Sequence, residues 1–179
     1  MVEKIKLKKS KINGKGIFAS ENIKKNETIC FLKGKEKNIP QIKKEYLEGK
    51  EKINDPLQIK EDTYIDIEKP YLYFNHSCNP NAGIREKNEL FAIKNIKKEE
   101  EITFDYSTTS WEKDWGLKDE KEFAMKCNCN SKNCRKIIKD FPYLDKKSKQ
   151  KYLKLKALPD FIINKLKNTN NFKITQNFS

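Results

Sequence analysis

The sequence predicts a mainly β fold with a small helical content. Three observations carry that expectation. Residues 1–107 divide into short apolar or alternating runs separated by Gly, Asn and Asp turns, the pattern of strands in small sheets. Helical spacing is confined to QIKKEYLEGK (Gln41–Lys50) and to residues 145–167. Ten Phe, seven Tyr and two Trp supply a core despite a charged fraction of 36%. The length of 179 residues suits one domain with a small appendage.

Taken in order, residues 3–9 form a first strand, turned by NGKG (Asn13–Gly16), whose glycines tolerate positive φ. GIFAS follows as a second strand. Polar turn residues in ENIKKNETI precede a third, ICFL (Ile29–Leu32). The first helical stretch places Ile42, Tyr46 and Leu47 near one face and is broken by Asp55-Pro56. LQIKEDTYIDI (Leu57–Ile67) alternates as a hairpin with its turn near Lys60–Asp62. GIRE and ELFAIKNI make two strands joined at Lys87-Asn88, and KKEEEITFDYS makes a turn and a strand. Residues 109–125 are aromatic and charged. Their Trp111, Trp115 and Phe123 either cover a binding site or pack the next segment on the core. Residues 145–167 read as helix around Pro159, and the last dozen residues are Asn-rich and frayed. No internal repeat is present.

The net charge of +13 resides in the C-terminal part, where residues 121–179 carry 15 basic and 4 acidic side chains. Only Arg85 and Arg135 are arginines, and arginine is the usual reader of phosphate and base edges. The lysine excess is therefore read first as a solvated face and a coding bias. A weak contact with nucleic acid or an acidic protein through the basic tail is the alternative. No run of 18 apolar residues occurs, so no membrane span is expected. MVEKIKLKKSKING lacks the apolar stretch of a secretory signal. The expected setting is intracellular, cytoplasmic or, in a eukaryotic host, nuclear, and the expected state is a monomer.

Of five cysteines, Cys127, Cys129 and Cys134 form C-x-C-x4-C. In a reducing compartment, thiolates at this spacing suit tetrahedral zinc. Three ligands are one short of a closed site, and Cys78 is the natural fourth. Cys30, in an apolar strand, reads as a small buried hydrophobe. Cys78 lies in FNHSCNPN (Phe74–Asn81), which holds the chain's one histidine.

Four segments, in order, resemble the SET-domain family of S-adenosylmethionine-dependent lysine methyltransferases. They are GKGIFA (Gly14–Ala19), NHSCNPN (Asn75–Asn81), EEITFDY (Glu100–Tyr106) and CNCNSKNC (Cys127–Cys134). The resemblance covers about residues 4–136. It implies several small curved β-sheets in which the NHSC and DY segments cross as a pseudoknot, a zinc-bound post-SET segment and a C-terminal helical tail. The corresponding boundaries are 1–108, 109–136 and 137–179. It implies cofactor contacts from Lys15, Gly16, Ile17, Asn75, His76 and Tyr106, and zinc held by Cys78, Cys127, Cys129 and Cys134. FLKGK (Phe31–Lys35) and LYF (Leu72–Phe74) depart from the family pattern, the latter by lacking an arginine before NHSC.

Methyl transfer to lysine needs an uncharged amine. With an ordinary pKa of about 10.4, neutralising it costs about 4–5 kcal/mol near pH 7, which an apolar channel reduces by desolvation. By resemblance, Tyr106 places its hydroxyl by the amine. Phe104, at a position held by Phe or Tyr in the family, leaves room for a product beyond monomethyl-lysine. The acceptor is a protein or peptide lysine, such as that of a histone or another basic protein, and S-adenosylhomocysteine is the co-product. The competing reading is a catalytically silent zinc module that binds nucleic acid or an acidic protein through its basic tail.

Overall fold

The computed structural model describes residues 4–50, 56–111 and 124–169. The chain runs through β1 (Ile5–Lys9), β2 (Lys15–Ala19), β3 (Thr28–Phe31), β4 (Gly34–Asn38), α1 (Ile39–Leu47), β5 (Leu57–Gln58) and β6 (Thr63–Ile67). Then come β7 (Asn75–His76), β8 (Ala82–Arg85), β9 (Glu89–Ala92), β10 (Thr103–Phe104), β11 (Ala124–Lys126), β12 (Ile137–Lys139), α2 (Lys146–Lys154) and α3 (Asp160–Asn168). The strands form five small sheets: β1-β2, β4-β6-β5, β3-β9-β8, β7-β10 and β11-β12. All pairs are antiparallel except β7 with β10, which sets Asn75 opposite Thr103 and His76 opposite Phe104.

The expected fold class is borne out. Two local readings differ. β4 pairs along its whole length with β6, although KEKN carries no apolar alternation. Its inward residue is Lys37, only 6% exposed, which reaches Asp66 at 2.6 Å and also pairs with Glu45 of α1. The helical stretch at 145–167 is two helices, parted by residues 155–159. Asp145 starts α2 by accepting from the Ser148 amide at 2.9 Å. Likewise Asn38 and Gln41 form a reciprocal capping box at the start of α1.

Sheet β3-β9-β8 is a wall between two cores. Alternation along β9 sends Leu90 and Ala92 into the larger core, with Ile17, Ile84, Ile102 and Phe104. Phe91 and Ile93 point the other way, to Phe141, Tyr152, Leu158 and Ile162 from the C-terminal helices. Gly83 permits their close approach, since a Cβ there would lie 2.7 Å from the Ala157 Cβ. The Asp160 amide then donates to Glu86 O at 2.8 Å. Among the described residues, no helix is long and apolar enough to cross a membrane.

Candidate active site and cysteine cluster

The short parallel pairing of β7 with β10 is what assembles the site. It joins residues 75–76 to 103–104, and the Ser77 amide extends it by donating to Phe104 O at 3.1 Å. The backbone then leaves the strand. Asp105 caps a 3-10 turn, Tyr106–Thr109, by accepting from the Ser107 amide at 3.1 Å. Phe104 is therefore a strand residue and Tyr106 a turn residue, yet both line one cavity of about 330 Å3. Their rings stand 5.0 Å apart, and Tyr71, Tyr73, Phe74 and Asn75 complete much of the wall.

The Tyr106 hydroxyl donates to Phe74 O at 2.7 Å. With its proton committed there, the oxygen acts toward the cavity as an acceptor. Asn75 spends its amide N–H groups on Lys15 O at 2.9 Å and Glu101 Oε1 at 2.8 Å. Its Oδ1 is left to accept from a ligand. Glu101, inside EEITFDY but assigned no role from sequence, also accepts from Ser10 Oγ at 2.7 Å. The close approach requires Gly16, where a Cβ would sit 2.3 Å from Glu101 Oε1. Lys15 lines the cavity, whereas Gly16 and Ile17 lie buried behind it. Trp111 stacks on Phe141 at 5.7 Å and packs against the C-terminal core. Trp115 and Phe123 lie outside the described residues.

Behind the cavity, donor atoms of His76, Cys78, Cys127 and Cys129 lie within 4.8 Å of one another. Cys78 Sγ is 3.8 Å from Cys127 Sγ, and Cys134 interacts with the Cys127 side chain. Burial pushes the Cys78 thiol up to about 11 and raises Cys127 as well. Burial would raise Cys129 too, but amide and hydroxyl donors at Cys78 and Ser131 bring it down to about 6. Crowded thiols of this kind resist sharing negative charge without a cation among them.

His76 joins this cluster to the cavity. Burial lowers it to about 4, so the ring is neutral. Its Nδ1 accepts from the Tyr106 amide at 3.2 Å, which assigns the ring proton to Nε2. That nitrogen faces Cys78 Sγ at 3.3 Å, within reach to donate to the sulfur. Proximity thus groups His76 with Cys78, Cys127 and Cys129, while Cys134, expected from the sequence as the remaining sulfur ligand, is not among these four.

Fold and site together define a class of protein: small sheets joined by a short parallel pairing, with an aromatic cavity and a cluster of thiols beside His76. Residues 14–107 match the SET domain family model, and the chain belongs to the SET-domain family. It is 28% identical over 148 residues to an Aspergillus oryzae histone-lysine N-methyltransferase specific for H3 lysine-4, covering 75% of this chain and 11% of that protein. It is 31% identical over 148 residues to a Candida albicans H3 lysine-36 enzyme, covering 75% and 16%. The chain thus spans about a tenth of the first curated relatives it matches. Among solved structures, KRYPTONITE in complex with mCHG DNA and SAH shares the fold at TM-score 0.56 and 20% identity, covering 75% of this chain and 28% of that one.

Proposed function

We propose that this chain is an S-adenosylmethionine-dependent protein-lysine N-methyltransferase module that forms products beyond monomethyl-lysine. One observation carries the reading: Asn75, Phe104 and Tyr106, distant in sequence, line a single aromatic cavity. The methyltransferase names of its relatives support it.

Bound S-adenosylmethionine supplies an electrophilic methyl group, and its sulfur keeps the bonding electrons when the amine nitrogen takes that group. Asn75 Oδ1 would accept from its amino group, beside backbone contacts from Lys15, Gly16, Ile17 and His76. The aromatic walls desolvate an incoming lysine and favour its neutral form. Tyr106 oxygen accepts an amine N–H and turns the nitrogen lone pair toward the methyl group. Phe104 offers no hydroxyl at that end and leaves volume for methyl groups already added. Cys78, Cys127, Cys129 and Cys134 would hold a zinc ion, a fit supported by the close approach of the Cys78, Cys127 and Cys129 sulfurs.

The acceptor is a lysine of a histone or another basic protein. Lys147, Lys151 and Lys154 share one side of α2, adding a cationic face suited to an anionic particle that carries such a substrate.

Transfer of labelled methyl from S-adenosylmethionine to histones, with calorimetry of cofactor binding, tests the proposal. Transfer blocked by Tyr106→Phe supports it. Absence of both heat and transfer refutes it, and steep salt-dependent DNA binding in that case favours a non-catalytic module.

A further inference from the structure

Asp105 lies between Phe104 and Tyr106 but faces away from the cavity. It is 1% exposed, and burial of a carboxylate is costly unless its oxygens are occupied. Arg135 meets both oxygens, Nη2 to Oδ1 at 2.6 Å and Nη1 to Oδ2 at 2.8 Å, and Nη2 also reaches Ser107 Oγ at 3.0 Å. Burial works against the charge, but Arg135 holds Asp105 below the usual carboxylate range. Oδ2 has one further partner, the Tyr152 hydroxyl at 2.7 Å.

Tyr152 belongs to α2, far beyond the family match at residues 14–107, and is 2% exposed. Tyr152 packs in the C-terminal core, and the chain just after its helix is held to the wall where Ala157 meets Gly83 and the Asp160 amide donates to Glu86 O. The hydroxyl is therefore delivered to Asp105 by a rigid support. Asp105 in turn caps the turn that carries Tyr106.

We propose that Tyr152 is a positioning residue for the methyl-transfer site, acting through Asp105 to hold the 104–109 backbone and with it the Tyr106 oxygen. The claim extends the methyltransferase reading and rests on it for its kinetic arm. Tyr152 touches neither cavity nor acceptor, so its hydroxyl affects the chemical step and leaves acceptor binding alone.

Tyr152→Phe keeps the ring in its core and removes only the hydroxyl. The expected result is a fall in kcat of about tenfold, as loss of a hydrogen bond to a charged group implies, with acceptor KM within about twofold. Hydrogen–deuterium exchange at amides 104–109 should accelerate while the β1-β2 amides stay unchanged. Ile162→Val, trimmed in the same core away from Asp105, should lose comparable stability but keep wild-type kcat. Wild-type kcat in Tyr152→Phe overturns the proposal, as does an equal kcat loss in Ile162→Val. If the wild-type chain transfers no methyl group, the activity reading fails and exchange alone decides: acceleration confined to 104–109 upholds the support, and unchanged exchange overturns it.

Discussion

On the cavity side of the β8-β9 wall, functional residues are placed by backbone pairing. Asn75 and Phe104 sit on adjacent parallel strands, and Tyr106 follows within two residues. On the other side, residues act by side-chain reach from helices and loops. Arg135 and Tyr152 extend from separate segments to one carboxylate. The first arrangement leaves compact motifs in the chain, because pairing fixes spacing. The second leaves none, because a reach across a core depends only on where the helix docks. The two sides also differ in what they tolerate: the first should lose chemistry with its fold intact, the second should lose support.

The largest expected effect is on the cavity side. Tyr106→Phe should lower kcat roughly 100–1000-fold, as removal of a group acting in the transition state does, while loss of its bond to Phe74 O lowers stability by only about 1 kcal/mol. A variant with full turnover would erase the functional distinction between the two sides. Next is the thiol cluster. Cys134→Ala should drop bound zinc far below one per chain, measured by elemental analysis. His76→Gln should retain one zinc with affinity weaker by about 10–100-fold, the usual effect of losing a ligand's supporting donor. The reverse pattern would make His76 the ligand. Gly83→Ala should push α2 and α3 off the wall and cost about 1–3 kcal/mol in urea unfolding, with exchange accelerated first in residues 146–168. The smallest effect on rate and the sharpest on outcome belongs to Phe104→Tyr, which should shift mass-spectrometric product toward monomethyl-lysine at little change in the first transfer.

Legibility in the sequence followed the same division. NHSCNPN and EEITFDY announced both the crossing strands and the cavity residues, since each motif is one continuous stretch of backbone. Strand β4 was hidden because its one buried side chain is Lys37, neutralised by partners that only the folded chain brings near. Glu101 was in view, but its acceptance from Ser10 and Asn75 depends on three segments meeting. Tyr152 reads in sequence as one more apolar position of an amphipathic helix. Its hydroxyl, the one atom that distinguishes it from Phe, was the available signal, and nothing local pointed to Asp105.

The pairing of residues 75–76 with 103–104 also governs the order in which the molecule becomes whole on the ribosome. The hairpins that precede it close locally, but this junction waits for a loop of nearly thirty residues to emerge, and contacts so far apart form slowly. Tyr152 arrives later still, so a nascent chain stalled before α2 would carry every recognisable motif and yet leave Asp105 without its last donor.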